Sequence, residues 1–463
     1  MSPSPEPGSW SHRPLLVLGV SVFVGLYAWS YVHFVSESYS SYGFDYQPVP
    51  DFYLALAWIL AILPSIWMPI RLRRGSQLGY WVLYLTVVIP SMFIPLFAGL
   101  NKPDEIAPLM LTMCAGTAVL GAGYLCPLHR FRAPKISPKA FSTGFGILAL
   151  TTTLAILVSF WGNMHLVSFD EIYDLRDNAQ DMGGSFLNYA LMWSYGAVYP
   201  FLIGWGLYHR KWVLFLTGCL GQVLVYSCFG TKASLLSIIF IAGIYLLFRR
   251  GRGPFALKLV WGVVAILLAL IVVFLAEGEE PDLATQMLMF LVMFRSFGLS
   301  GLLTGQYYNF FRHNPHTLFS HLKVVNWLVH YPFHYPLGTE IGYYHYGSLV
   351  DTTAHFWATD GIAAFGLPGI LIASALCAFL FWLIDSAAAR HDPRFVGLVT
   401  FYGTYSLANL SLFTTFLSGG LGLLILVLHV LPPVSPQPAR EGFPETTAPS
   451  GLEPGPTGSP ACS

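Results

Sequence analysis

Apolar runs of roughly the 20 residues a helix needs to cross the hydrocarbon of a bilayer recur from one end of this chain to the other. They fall at 14–35, 51–70, 77–99, 106–127, 139–162, 186–208, 212–229, 232–248, 256–276, 357–384, 395–416 and 418–432. Backbone polar groups in hydrocarbon must be satisfied within their own segment, so each run reads as a helix. The expected fold class is therefore an all-α polytopic integral membrane protein with about 12 transmembrane helices and a large outer loop before the last three. Composition agrees: charged residues are 10% of the 463 and hydrophobic ones 55%, whereas soluble domains carry about 25% charged residues.

Charge orients the chain. The clusters Arg71–Arg74, Arg130–Lys139, Arg210–Lys211, Arg249–Lys258 and Arg390–Arg394 share one side if both termini are cytoplasmic, placing 17 of 23 Lys and Arg inside and six outside. That is the bias expected of cytoplasmic loops. The organisation that follows is a disordered cytoplasmic N-terminus (1–13), nine transmembrane helices (14–276), a large periplasmic or extracytoplasmic loop with a re-entrant or interfacial helix (277–356), three more transmembrane helices (357–432) and a disordered, Pro, Gly and Ser-rich cytoplasmic tail (433–463). A net charge of zero provides no basic face for nucleic acid. The six cysteines lack CxxC or metal-ligand spacing and read as packing residues.

Polar work in such a chain is confined to loops and to helix faces lining a cavity, and three outer segments offer it. In the first, Asn163 to Ser185, Asp170, Asp174, Asp177 and Asp181 recur at helical spacing, a face that is either solvated or able to hold a divalent cation. Arg176, among them, either grips phosphate through its planar fork or pairs with Glu171, Asp174 or Asp177. The second is the turn Phe229–Ser234, which sets Lys232 at a helix start, against the macrodipole. Lys232 is thus a functional cation or a side chain snorkelling to the interface.

The third segment opens with Glu277, Glu279, Glu280 and Asp282 and runs into an apolar stretch, 283–311, whose only charge is Arg295. An arginine near mid-bilayer is costly, and Gly298, Gly301 and Gly305 weaken a continuous helix. A re-entrant or interface-lying helix is expected, with Arg295 facing a central cavity. Read as a span, the stretch inverts everything downstream and leaves 16 basic residues inside, six outside and Arg295 in the membrane. Beyond it, 306–356 interleaves Tyr307, Tyr308, Trp327, Tyr331, Tyr335, Tyr343, Tyr344 and Tyr346 with seven of the 14 histidines. Such rings suit sugars, pairing an apolar face with a polar edge, or form an interfacial belt. No His/Cys spacing here matches a zinc site, and His330 with His334 lacks the Glu of H-E-x-x-H, so the sequence gives a metal site only weak support.

The segment Asp351-Thr-Thr-Ala-His355-Phe-Trp-Ala-Thr-Asp360-Gly-Ile-Ala-Ala-Phe-Gly366-Leu-Pro-Gly369 resembles a signature of the bacterial O-antigen polymerase and ligase superfamily. In that signature a polar outer loop ends in a histidine or asparagine, and a G-L-x-G follows eleven places on; Gly366, Leu367 and Gly369 match it. Phe356 stands where asparagine is usual and Ala364 where an acidic residue often precedes the glycine. With the Gly230–Lys232 turn and Pro336-Leu337-Gly338, the pattern looks most like a Wzy-type oligosaccharide repeat-unit polymerase.

The resemblance implies a metal-independent, cofactor-free inverting glycosyltransferase in the bacterial cytoplasmic membrane. It would act at the outer face on undecaprenyl-diphosphate-linked oligosaccharides, alongside a chain-length regulator and a flippase. An acceptor hydroxyl attacks the anomeric carbon as the lipid diphosphate leaves. Arg176, Lys232, Arg295 and, more weakly, Arg312 are the expected diphosphate-binding cations, since fixed charge aimed at a leaving group is a large catalytic term. His355 is the expected base, with Asp351 or Asp360 orienting or replacing it; a hydrogen-bonded histidine at a helix entrance is the alternative. Glu340, His345, Tyr343 and Tyr344 are expected to line the acceptor groove. A ligase moving glycan to a lipid A core shares the motif, and a transporter is the reading from another class, for which inverted repeats are expected and none is evident.

Overall fold

The computed structural model describes residues 11–132, 134–161, 164, 185–249, 254–278 and 282–433. Among these there are helices and no strands. We number them α1 (Arg13–Ser38), α2 (Asp51–Ile66), α3 (Gln77–Phe97), α4 (Pro103–Leu125), α5 (Pro138–Ser159), α6 (185–208), α7 (Trp212–Phe229), α8 (Lys232–Arg249), α9 (Phe255–Glu277) and α10 (Leu283–His313). The rest are α11 (Lys323–Asn326), α12 (Leu337–Tyr346), α13 (357–365), α14 (Leu367–Ala387), α15 (Pro393–Ser406), α16 (Leu412–Phe416) and α17 (Leu421–Val430). Among the described residues nine helices are long and apolar enough to cross a membrane, and α2 and α17 are apolar but shorter. The chain is a multi-pass helical membrane protein.

Two groups of helices share the core. α1 packs along α9, and α3 lies beside α10 with α4 against α14; α6, α7, α8 and α15 pack on one another. The two ends of the bundle differ in chemistry. At the basic end Arg13 Nη1 donates to the Ser65 and Met68 carbonyls (2.9 and 2.7 Å), and Arg74 Nη2 donates to the Cys126 carbonyl (2.7 Å). Buried Asp385 at the foot of α14 accepts from the Ser76 N–H (3.0 Å) and hydroxyl (2.6 Å). At the opposite end the Gln47 N–H donates to the Phe97 carbonyl (2.7 Å), tying the turn after α1 to the end of α3. α6 descends to the basic end, where His209 packs on Phe395 (5.7 Å), and α7 climbs back. Gly230, left-handed at φ 61, closes α7 and delivers Lys232 to the opposite end.

α10 shapes the centre. Its 31 residues would span about 46 Å if straight, enough to cross the bilayer core. Its contacts trace another path. Thr285 Oγ1 donates to Glu277 (3.0 Å) at the end of α9, and Phe290 and Phe294 stack near Tyr39, just beyond α1. Phe297 reaches Phe23 (5.5 Å), midway along α1, and Ser300 donates to the carbonyl of Thr86, midway along α3. The helix then climbs beside α3 until Arg312 meets Glu105 and Asn101. Both ends of α10 therefore lie at the end of the bundle opposite the basic one. The turn of direction falls in Phe290–Gly298, where the helix widens to π geometry, a usual site of kinks.

The glycine series does not break this helix, contrary to the expectation from propensity. A methyl at Gly301 would sit 2.6 Å from the Pro90 carbonyl oxygen, and one at Gly305 would sit 2.7 Å from Leu100. The glycines let α10 and α3 approach closely, and that packing offsets a helix-propensity cost of roughly 1 kcal/mol each.

Candidate functional site

The histidine motif sits where α10, α3 and α13 meet. His355 is 0% exposed. Its Nδ1 lies 3.3 Å from the Ala358 N, whose N–H also donates to the His355 carbonyl (3.0 Å), and its Nε2 lies 2.7 Å from Thr304 Oγ1. Thr304 Oγ1 in turn lies 2.7 Å from Ser91 Oγ. This polar chain links α3 and α10 to the segment entering α13 inside an apolar core, where unmet partners would be costly. As placed, both ring nitrogens of His355 have polar neighbours within the core, so the ring is engaged where a base was expected.

Asp360 is also sequestered, at 1% exposure. Its Oδ2 accepts the Leu412 N–H (2.6 Å) and its Oδ1 accepts the Ser411 hydroxyl (2.7 Å), holding the start of α16. Oδ1 also faces His321 Nε2 (3.3 Å), whose Nδ1 lies 3.1 Å from Thr317 Oγ1. The histidine reaches this position through two consecutive left-handed residues, Leu318 (φ 50) and Phe319 (φ 64), a conformation that costs non-glycine residues roughly 1–3 kcal/mol each. Phe319 wedged against Phe365 and Phe413, with Leu318 N–H bonded to the Ala364 carbonyl (3.2 Å), offsets that cost. Of the three acid–base candidates, Asp351 alone is exposed. Its Oδ1 holds the Thr353 N–H (3.1 Å) and hydroxyl (2.7 Å), and it rests on Gly338 of α12, where any side chain would collide with that same oxygen.

The cations separate. Arg295 lies on the wide turn of α10 with its side chain exposed, and its guanidinium and Ser296 neighbour the Tyr405 phenol of α15. Lys232 stands at the same end of the bundle as the outer loop and is partly buried. Arg312 is otherwise occupied: both of its terminal nitrogens meet Glu105 (2.7 and 2.9 Å), Nη1 also donates to Asn101 (3.1 Å), and the guanidinium lies over Tyr308 (5.9 Å). That fork, expected among the diphosphate ligands, has a carboxylate partner in Glu105. Arg176 and the four-aspartate face lie outside the described residues.

The expected acceptor groove is part scaffold and part open surface. His345 Nε2 donates to the Gln306 carbonyl (3.1 Å), and burial pushes its imidazole below the ordinary histidine value. Glu340 accepts the Tyr335 N–H (3.2 Å). Tyr343 and Tyr344 are exposed, at 51% and 49%, with Tyr344 edge-on to Phe310 (5.1 Å). No group of three or more His, Cys, Asp or Glu able to hold a metal ion occurs among the described residues.

Sequence reasoning missed Thr304, Ser91, Glu105 and His321. His321 had a signal, as one of the clustered histidines; the others are ordinary residues whose partners lie far off in the chain. No family model, curated protein or solved structure matches the chain.

Proposed function

We propose that this protein polymerises undecaprenyl-diphosphate-linked oligosaccharide repeat units by inverting glycosyl transfer at the outer face of the bacterial cytoplasmic membrane. On this reading the chain crosses the membrane 12 times, both termini are cytoplasmic, and α10 dips in from the outer face and returns. The observation that carries the proposal is Arg295, exposed on the wide turn of α10 below an outer end rich in aromatic and polar side chains. An uncompensated arginine at membrane depth is costly, and an anionic headgroup carried by a lipid would repay that cost.

Arg295 and Lys232 would meet the charge that develops on the leaving diphosphate. The acceptor hydroxyl oxygen bonds to the anomeric carbon as the bond to the diphosphate oxygen breaks, and its proton passes to the exposed Asp351 carboxylate. Tyr343 and Tyr344 offer faces on which sugar rings stack. His355 and Asp360 organise this region from below: one joins α13 to α10, the other holds α16 and the His321 turn.

The test is the purified protein with short undecaprenyl-diphosphate oligosaccharides, products resolved on a gel. A lengthening ladder without nucleotide sugar is expected, and it should vanish in Arg295→Ala protein that inserts and purifies normally. Glycan appearing on added lipid A core in place of a ladder would make the protein a ligase, and normal chain lengths from Arg295→Ala would sink the diphosphate assignment.

A further inference from the structure

At the basic end, away from the site above, Arg13 heads a groove of about 540 Å³ that runs along one face of α1 over Pro14, Val17, Leu18 and Ser21. The arginine is fixed in place, because a single nitrogen, Nη1, takes both the Ser65 and the Met68 carbonyls. Those two bonds leave the Nε and Nη2 edge, the part of the fork suited to a phosphate. Two tryptophans sit at the same level: Trp67, partly exposed beside Met68, and Trp261, whose ring packs on Gly19 and whose N–H donates to the Leu15 carbonyl (3.3 Å). Tryptophans beside basic residues mark the headgroup level of a bilayer. The groove continues from there toward the middle of α1 over apolar side chains, with Leu18 exposed at 53%.

We propose that this groove is a binding site for an anionic phospholipid of the leaflet at the basic end, its phosphate on Arg13 and an acyl chain along Val17, Leu18 and Ser21. Charge decides the class of lipid. Arg71, Arg73 and Arg74 follow within a few residues of the Met68 carbonyl, and Lys258 lies in the first turn of α9, which the Ala256 N–H ties to the Ile70 carbonyl (3.2 Å). Each basic residue near such a surface favours an anionic headgroup by about 1 kcal/mol. A zwitterionic lipid would set its own cation among these charges.

The test uses the full chain, reconstituted into vesicles of equal phosphatidylglycerol and phosphatidylcholine, then extracted in mild detergent and weighed with its retained lipid by native mass spectrometry. Wild type is expected to hold phosphatidylglycerol preferentially. Arg13→Gln should lower that retention roughly tenfold, the scale of one charge-assisted hydrogen bond, and leave phosphatidylcholine unchanged. Should Arg13→Gln fail to fold, Ser21→Trp decides, because it fills the groove with the arginine intact and should lose the lipid equally. Equal retention of the two lipids by wild type, undiminished phosphatidylglycerol on the Ser21→Trp protein, or displacement by millimolar inorganic phosphate would each overturn the proposal.

Discussion

The difference between His355 and Asp351 is one of access, and it separates their mutants. Replacing His355 with alanine removes the ring from Thr304 Oγ1 and leaves a hole at a site that is 0% exposed, at about 2–5 kcal/mol for a large-to-small change in a core. His355→Ala should therefore lower the thermal midpoint in detergent along with any loss of turnover. Asp351→Asn keeps the contact to Thr353 and should lower turnover about 100-fold with the midpoint unchanged; full turnover in that protein would remove Asp351 from the chemistry. His345 gives a pH dependence. Its folded pKa lies below the ordinary value, so between the two values the unfolded chain binds the extra proton, and stability falls as pH drops below about 6.5. His316, lowered by burial too, adds in the same direction. Melting curves from pH 7.5 to 5 should show the loss, and His345→Gln, which keeps a donor for the Gln306 carbonyl, should flatten it; equal slopes would exclude His345 as the source. The sequence pointed to the histidine segment as special. It gave no view of burial there, because the partners that close His355 off lie 51 positions away at Thr304, and 213 further at Ser91.

Among the elements, the apolar runs were legible because length and composition alone define a helix in hydrocarbon. The internal geometry was not. A π turn adds one residue to a helical turn, too small a change to disturb an apolar run, yet such turns at Tyr31–Val35, Tyr84–Val88 and Phe290–Gly298 meet where α10 changes direction. Glycines were misleading for a related reason: propensity scores the isolated helix, whereas Gly301 is set by its neighbour. Gly301→Val should collide with the Pro90 carbonyl and cost about 1–3 kcal/mol as an overpacked core does. Gly144 of α5 has nothing within 4 Å of where a methyl would go, so Gly144→Ala should leave the midpoint level or raise it. Thermal unfolding of the two proteins checks the pair, and a tolerated valine at 301 would mean that α10 and α3 are not held in this close approach.

For the whole molecule, charge asymmetry ordered the loops but was nearly blind to α10, since 17 or 16 basic residues inside are both acceptable sums. Composition is equally blind, because a helix that dips and returns needs the same apolar surface as one that crosses. The contacts of Thr285 with Glu277 and of Arg312 with Glu105 tie both ends of α10 to the same end of the bundle, and labelling decides whether that end faces one compartment. In a protein with its six cysteines replaced, single cysteines at Asp282, His313 and Lys232 should react with a membrane-impermeant maleimide from one and the same side of sealed vesicles. Labelling of position 313 from the side opposite position 282 would make α10 a crossing helix and turn the 314–356 loop toward the other compartment. The outcome reaches the chemistry directly: glycosyl transfer as proposed needs Asp351, the exposed tyrosines and Lys232 to share one aqueous face, and a dipping α10 is what lets segments from both groups of helices do so.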